Sequence, residues 1–123
     1  VGKAIGRPAN QVTEADWQKP TELNFIFSKI TDDCLKEVGA LRQLKKLQLD
    51  NTRITDEGLK ELNNLTQLAH LGLSGTYVTD NGIQHLHNFK SLTSVTLGRT
   101  NVTPNGVAAL KRALPKCDIH YFR

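Results

Sequence analysis

Ile54-Thr55-Asp56-Glu57-Gly58-Leu59 returns as Val78-Thr79-Asp80-Asn81-Gly82-Ile83, and again as Val102-Thr103-Pro104-Asn105-Gly106-Val107. An earlier version stands at Ile30-Thr31-Asp32-Asp33-Cys34-Leu35. The spacing is 24 residues each time, without gaps. The second half of each unit repeats in step: Leu44-x-x-Leu47-x-Leu49-x-x-Thr52, Leu68-x-x-Leu71-x-Leu73-x-x-Thr76 and Leu92-x-x-Val95-x-Leu97-x-x-Thr100. A fixed period of this length is the signature of stacked units, none of which can bury its apolar face alone.

Each unit reads as one strand and one helix. In Leu47-Gln48-Leu49 the apolar period is two, so both leucines face one side of a strand and Gln48 the other. Thr55 reads as a helix N-cap, with Asp56 and Glu57 in the first turn, where the helix dipole favours anions. Pro104, standing where the other units have Asp, fits the same reading, because the first helical position tolerates proline best. Leu59, Leu62 and Leu65 follow at helical spacing and form the buried face.

The motif resembles the leucine-rich-repeat family, L-x-x-L-x-L-x-x-N/C, from about Leu23 to Tyr121. The I-T-D-x-G-L opening is similar to the cysteine-containing type of F-box adaptors and to bacterial 24-residue repeats of ribonuclease-inhibitor-like shape. Leu114-Pro115-Lys116-Cys117-Asp118-Ile119 resembles the closing unit of the bacterial chains. The resemblance implies an α/β fold: a short right-handed solenoid with about five parallel strands on a concave face and four helices on a convex one. It also implies an interaction scaffold, not an enzyme. Thr52, Thr76 and Thr100 depart from the family's Asn or Cys, though threonine can still bond a nearby backbone group.

Extending the period backwards puts Leu23 and Phe25 on Leu47 and Leu49, a first strand near Glu22–Ile26. Trp17 falls on Leu41 and is expected to cap the open end of the core behind a short helical turn at residues 13–16. Extending it forwards puts Ile119 and Tyr121 on Val95 and Leu97, the last strand. The expected organisation is a tail or linker at 1–12 and a repeat domain at 13–123, with a cap at 13–29 and a closing unit at 102–123. The chain starts at Val1 and contains no Met, which reads as a processed or excised segment, so a removed targeting signal stays open. No stretch approaches the roughly 18 apolar residues of a membrane span.

The net charge of +4 invites a nucleic-acid reading. Its distribution argues against one: Lys111, Arg112, Lys116 and Arg123 gather at one end, while Asp56, Glu57 and Glu61 make the middle acidic. A nucleic-acid groove needs a continuous basic stripe with stacking aromatics. Cys34 and Cys117 lie more than three repeats apart, about 15 Å by strand spacing, too far for a disulfide. They read as small buried fillers and, as free thiols, favour a reducing compartment. The histidines cannot share a metal: His85 and His87 diverge on one helix, and His70 and His120 stand two strands apart. They read as solvated polar positions. Asp50, His70 and Ser74 share a face, but His70 and Ser74 are four residues apart along a strand, about 13 Å. A nucleophile and its base need about 3 Å. No cofactor, metal or catalytic set is expected.

The expected concave face carries three columns: Glu22, Lys46, His70, Ser94, Asp118; then Asn24, Gln48, Gly72, Thr96, His120; then Ile26, Asp50, Ser74, Gly98, Phe122. The alternation exposes them. The centre is small, and Lys46, Gln48, Asp50 and His70 flank it. Arg53, Tyr77 and Arg99 lie on the loops leaving the strands, and Tyr and Arg are enriched at binding hot spots. These residues, with Thr96, are the candidate contacts for an unidentified protein or peptide. A competing reading is structural, a repeat segment excised from a larger protein or one that self-associates: Ile26, Phe27 and Phe122 put apolar groups at the ends, where another chain could pack unless residues 1–12 cover them or Phe27 turns inward.

Overall fold

A computed structural model describes residues 21–122 of the 123-residue chain. Elements alternate strictly: β1 (Glu22–Asn24), α1 (Asp32–Val38), β2 (Lys46–Gln48), α2 (Asp56–Lys60), β3 (His70–Gly72), α3 (Asp80–Ile83), a 3-10 helix (Gln84–Asn88), β4 (Ser94–Thr96), α4 (Pro104–Ala113) and β5 (Asp118–His120). The strands form one parallel sheet in chain order. Leu23, Leu47, Leu71, Val95 and Ile119 are register partners, each 24 residues from the last. These are the strands that the period predicts, with β1 ending at Asn24 and not Ile26. The Asn24 side chain takes the Ile26 N–H (2.9 Å), and Phe27 then turns left-handed (φ 61°), which ends the extended run.

The core is a stack of aliphatic columns. Leu35, Leu59 and Ile83 come from the helices, and Leu49, Leu73 and Leu97 from the strand exits, all essentially inaccessible to water. Each such side chain contributes about 1.5–3 kcal/mol by leaving water. Thr52, Thr76 and Thr100 each donate a hydroxyl to the carbonyl three residues back, at 2.6, 2.6 and 2.8 Å. That bond is how threonine serves in the Asn/Cys column.

A second ladder joins the helix starts. The Asp32 carboxylate accepts the N–H (2.9 Å) and the hydroxyl (2.5 Å) of Thr55. Asp56 does the same for Thr79, and Asp80 for Thr103. Each threonine in turn caps its own helix, accepting from Glu57, Asn81 or Gly106 N–H. The motif's glycine follows from this. A Cβ at Gly58, Gly82 or Gly106 would overlap the carboxylate of Asp32, Asp56 or Asp80 respectively. The ladder stops where its parts change: Pro104 offers no carboxylate, and Cys34 fills the glycine position of the first unit, where the residue 26 positions earlier is Pro8 and not an aspartate.

The closing unit shifts by one residue. Cys117 N–H bonds Leu114 O (3.0 Å), as Leu92 N–H bonds Phe89 O (3.0 Å). So Leu114 and Cys117, not Ala113 and Lys116, continue the buried columns, while β5 keeps its register on β4. Ile119 and Tyr121 are half-buried, and the Tyr121 hydroxyl donates to Val102 O (2.8 Å). Trp17, the turn at 13–16 and the tail at 1–12 lie outside the described residues.

Both cysteines are free. Cys117 is buried as expected, whereas Cys34 is only half-buried, at the end of the ladder. His87 corrects the expectation of a solvated position. Its Nε2 is buried and meets no hydrogen-bond partner among the described residues.

Candidate functional site

The parallel register brings side chains from three strands onto the sheet face opposite the core. An open depression of about 430 Å3 lies there, lined by Ile26, Lys46, Gln48, Asp50, Asn51, His70, Leu71, Gly72, Ser94 and Thr96. Five candidate contacts therefore meet in it: Lys46, Gln48, Asp50, His70 and Thr96. Arg53, Tyr77 and Arg99 do not line it. Arg53 and Tyr77 are exposed neighbours one period apart, on the loops that follow, and the Tyr77 N–H bonds Ile54 O (2.9 Å). Arg99 lies two residues earlier in its unit, beside a separate open surface formed by residues 99–103.

The floor of the depression is fixed by a bridge across β3. The Thr96 hydroxyl donates to Asp50 Oδ2 (3.0 Å) from two strands away, and Thr96 Oγ1 itself accepts the Leu73 N–H (3.2 Å). Gly72 lies between them, and a Cβ there would overlap Asp50 Oδ1. The small centre of the face is thus a requirement of this bridge. Asp50 stands beyond the end of β2 but leans back over the row of Gln48, Gly72 and Thr96.

Burial corrects the expected columns. Gly72, Ser74 and Gly98 are buried, not exposed. The Phe122 ring lies over Gly98, where a Cβ would overlap it, and Ser74 Oγ accepts the Gly98 N–H (3.1 Å). Ser74 is therefore engaged with backbone at the edge of the face. Phe122 keeps 53% exposure, and Phe27 is outward, at 77%.

Sequence reasoning missed the turn that ends each strand's exit. Phe27, Asn51, Gly75 and Arg99 are one column, with φ of 61°, 59°, 72° and 55°. Their N–H groups continue the inter-strand bonding, to the carbonyls of Asp50, Ser74, Gly98 and Phe122. Gly75, the residue that adopts this conformation at no steric cost, was the available signal.

A smaller groove of about 250 Å3 lies at the closing unit over Leu92, Leu114 and Cys117, between Lys90 and Lys116. Burial pushes the Cys117 thiol pKa up; the nearby Lys111 ammonium opposes this and Asp118 adds to it. Among the described residues no group of three or more His, Cys, Asp or Glu could hold a metal ion. No helix among the described residues is long and apolar enough to cross a membrane.

Residues 41–62 match the Leucine Rich repeat family. A search of curated proteins finds no match. Among solved structures, the actin-binding site 2 of leiomodin-1 superposes with a TM-score of 0.64 at 19% identity, over 82% of this chain and 69% of that one. Internalin C2 of Listeria monocytogenes str. 4b F2365 gives 0.62 at 22% identity, over 82% of this chain and 40% of that one. A leucine-rich-repeat protein of Leptospira interrogans gives 0.66 at 24% identity, over 85% and 26%. The chain thus spans about two thirds of the first and less than half of each of the two bacterial proteins. Identities this low carry the fold alone, and they do not separate the F-box-like from the ribonuclease-inhibitor-like subtype. One matched unit, three superposed structures and five strands in 24-residue register agree: the chain is a leucine-rich-repeat solenoid.

Proposed function

We propose that the chain is a non-catalytic binding module that takes a protein or peptide segment on the open face of its sheet. The observation that carries this is the depression: five polar side chains from neighbouring strands converge on a floor held rigid by the Asp50–Thr96 bridge. A preorganised surface loses little entropy on binding. Tyr77 and Arg53 on the adjoining loops would extend the contact, with Arg99 at its far side. Leiomodin-1 supports the class of function, since its matching segment is described as an actin-binding site. The area is small, so affinity should be modest.

The test selects ligands from a display library of random dodecapeptides on the immobilised protein. Titrations follow against Ser94→Arg, which fills the depression without touching the core, and against alanine at Arg53, Tyr77 and Arg99. Loss of binding to Ser94→Arg with unchanged circular dichroism supports the reading. Peptides that bind it as tightly as the parent chain overturn it.

Self-association through the ends is the second reading, favoured by the exposed rings of Phe27 and Phe122. The aspartate ladder opposes it. A copy stacked after Pro104 would find no carboxylate for its Thr31, and its Cys34 would occupy the space that a carboxylate needs. Sedimentation over a concentration series separates the two: a monomer at all concentrations removes this second reading.

A further inference from the structure

The depression is electrically two-ended, and its negative end is prebuilt. Asp50 Oδ2 is held by the Thr96 hydroxyl, while Oδ1 stands over Gly72 and, among the described residues, meets no donor. A carboxylate fixed in place with one oxygen open is a seat for a cation, since charge-assisted hydrogen bonds are the stronger kind. One row back along the strands stand Lys46, His70 and Ser94, an ammonium, an imidazole and a hydroxyl. Glu22 and Asp118 end that row but do not line the depression. The two rows are two residues apart, about 6.6 Å.

That separation matches side chains i and i+2 on one face of an extended chain. Resting on the binding reading above, we infer that the occupant is an extended peptide segment lying along the strands. It carries a Lys or Arg over Asp50 and, two residues away, an Asp or Glu over Lys46 and His70. A uniformly acidic or basic segment would meet a like charge at one end.

The peptides selected above supply the probe. The expected result is a recurring pair of opposite charges two residues apart. Affinity for Asp50→Asn, which keeps an oxygen for the Thr96 hydroxyl, should fall about tenfold or more. Acetylating the peptide lysine should give a similar loss. Peptides that Ser94→Arg blocks, but that lack the pair or bind Asp50→Asn equally well, overturn this charge arrangement and leave the face as the binding surface. Peptides indifferent to Ser94→Arg, or no retained peptide at all, overturn the face itself and this inference with it.

Discussion

Gly106→Ala should change the sign of its effect on stability according to what stands at residue 80. In the parent chain the new Cβ overlaps the Asp80 carboxylate, which must swing away and release both Thr103 groups, the N–H at 2.8 Å and the hydroxyl at 2.5 Å. Hydrogen bonds to a charged group are worth about 1.5–3 kcal/mol each. These two face solvent, so about 1 kcal/mol each is the safer figure. Against that loss of about 2 kcal/mol, alanine in place of glycine inside α4 gains about 1 kcal/mol of helix propensity. Gly106→Ala alone should therefore destabilise by about 1 kcal/mol. Asp80→Ala alone loses the same two bonds, about 2 kcal/mol, and removes the obstruction. In that background Gly106→Ala meets only Val102 Cγ1 at 3.2 Å, a contact that a side-chain adjustment relieves, and should stabilise by up to about 1 kcal/mol. Urea unfolding of the four proteins of this double-mutant cycle gives a coupling of about 2 kcal/mol if the glycine exists for the carboxylate. An effect of Gly106→Ala that is equal and unfavourable in both backgrounds would refute the reasoning.

Gly72→Ala should displace Asp50 and break its bond to Thr96, costing about 1–2 kcal/mol in urea unfolding and weakening peptide binding together. Thr76→Val removes a buried hydroxyl that bonds Leu73 O at 2.6 Å and should cost about 1 kcal/mol, whereas Thr76→Asn, the residue of related repeats, should recover part of it. His87→Leu removes a buried Nε2 without a partner among the described residues and should raise the unfolding midpoint, by about 1 kcal/mol of stability. The Cys117 thiol binds its proton more tightly folded than unfolded. Its contribution to stability is therefore full below the ordinary thiol pKa of about 8.5 and is lost as pH rises through the higher folded value. Unfolding midpoints of the parent and Cys117→Ser should diverge less above that range, and native alkylation should label Cys34 well before Cys117.

The sequence declares the strands, their register and the threonine caps because these obey one local period. Leu47, Leu71 and Val95 pair as the spacing says, and Thr55 and Thr79 cap as their position says. What it hid are contacts between units. Asp56 reads as a first-turn acid serving its own helix dipole. Its partner is Thr79, 23 residues on, and only stacking brings the two together. The bridge from Asp50 to Thr96 spans 46 residues and passes over a glycine, so no alternation rule finds it. Ser74 and Gly98 look exposed by alternation and are buried: the Phe122 ring lies over Gly98, and Ser74 Oγ takes the Gly98 N–H. Of the candidate contacts, the strand positions were legible from periodicity. The same period sets Arg99 on Gly75 and Tyr77 on Arg53, but the left-handed turn of the Arg99 column shows only in the structure.

The aspartate ladder also bears on how such a molecule can change length. An interior unit carries both halves of the joint, a carboxylate for the unit after it and a glycine hollow for the unit before. A 24-residue block duplicated between Thr55 and Asp80 would find both neighbours ready, and the solenoid would lengthen without a new interface. A block appended after the Pro104 unit would bring its own glycine hollow but find no carboxylate for its threonine. Growth is therefore easier inside the run from Asp32 to Thr103 than after Pro104, where the joint lacks its carboxylate.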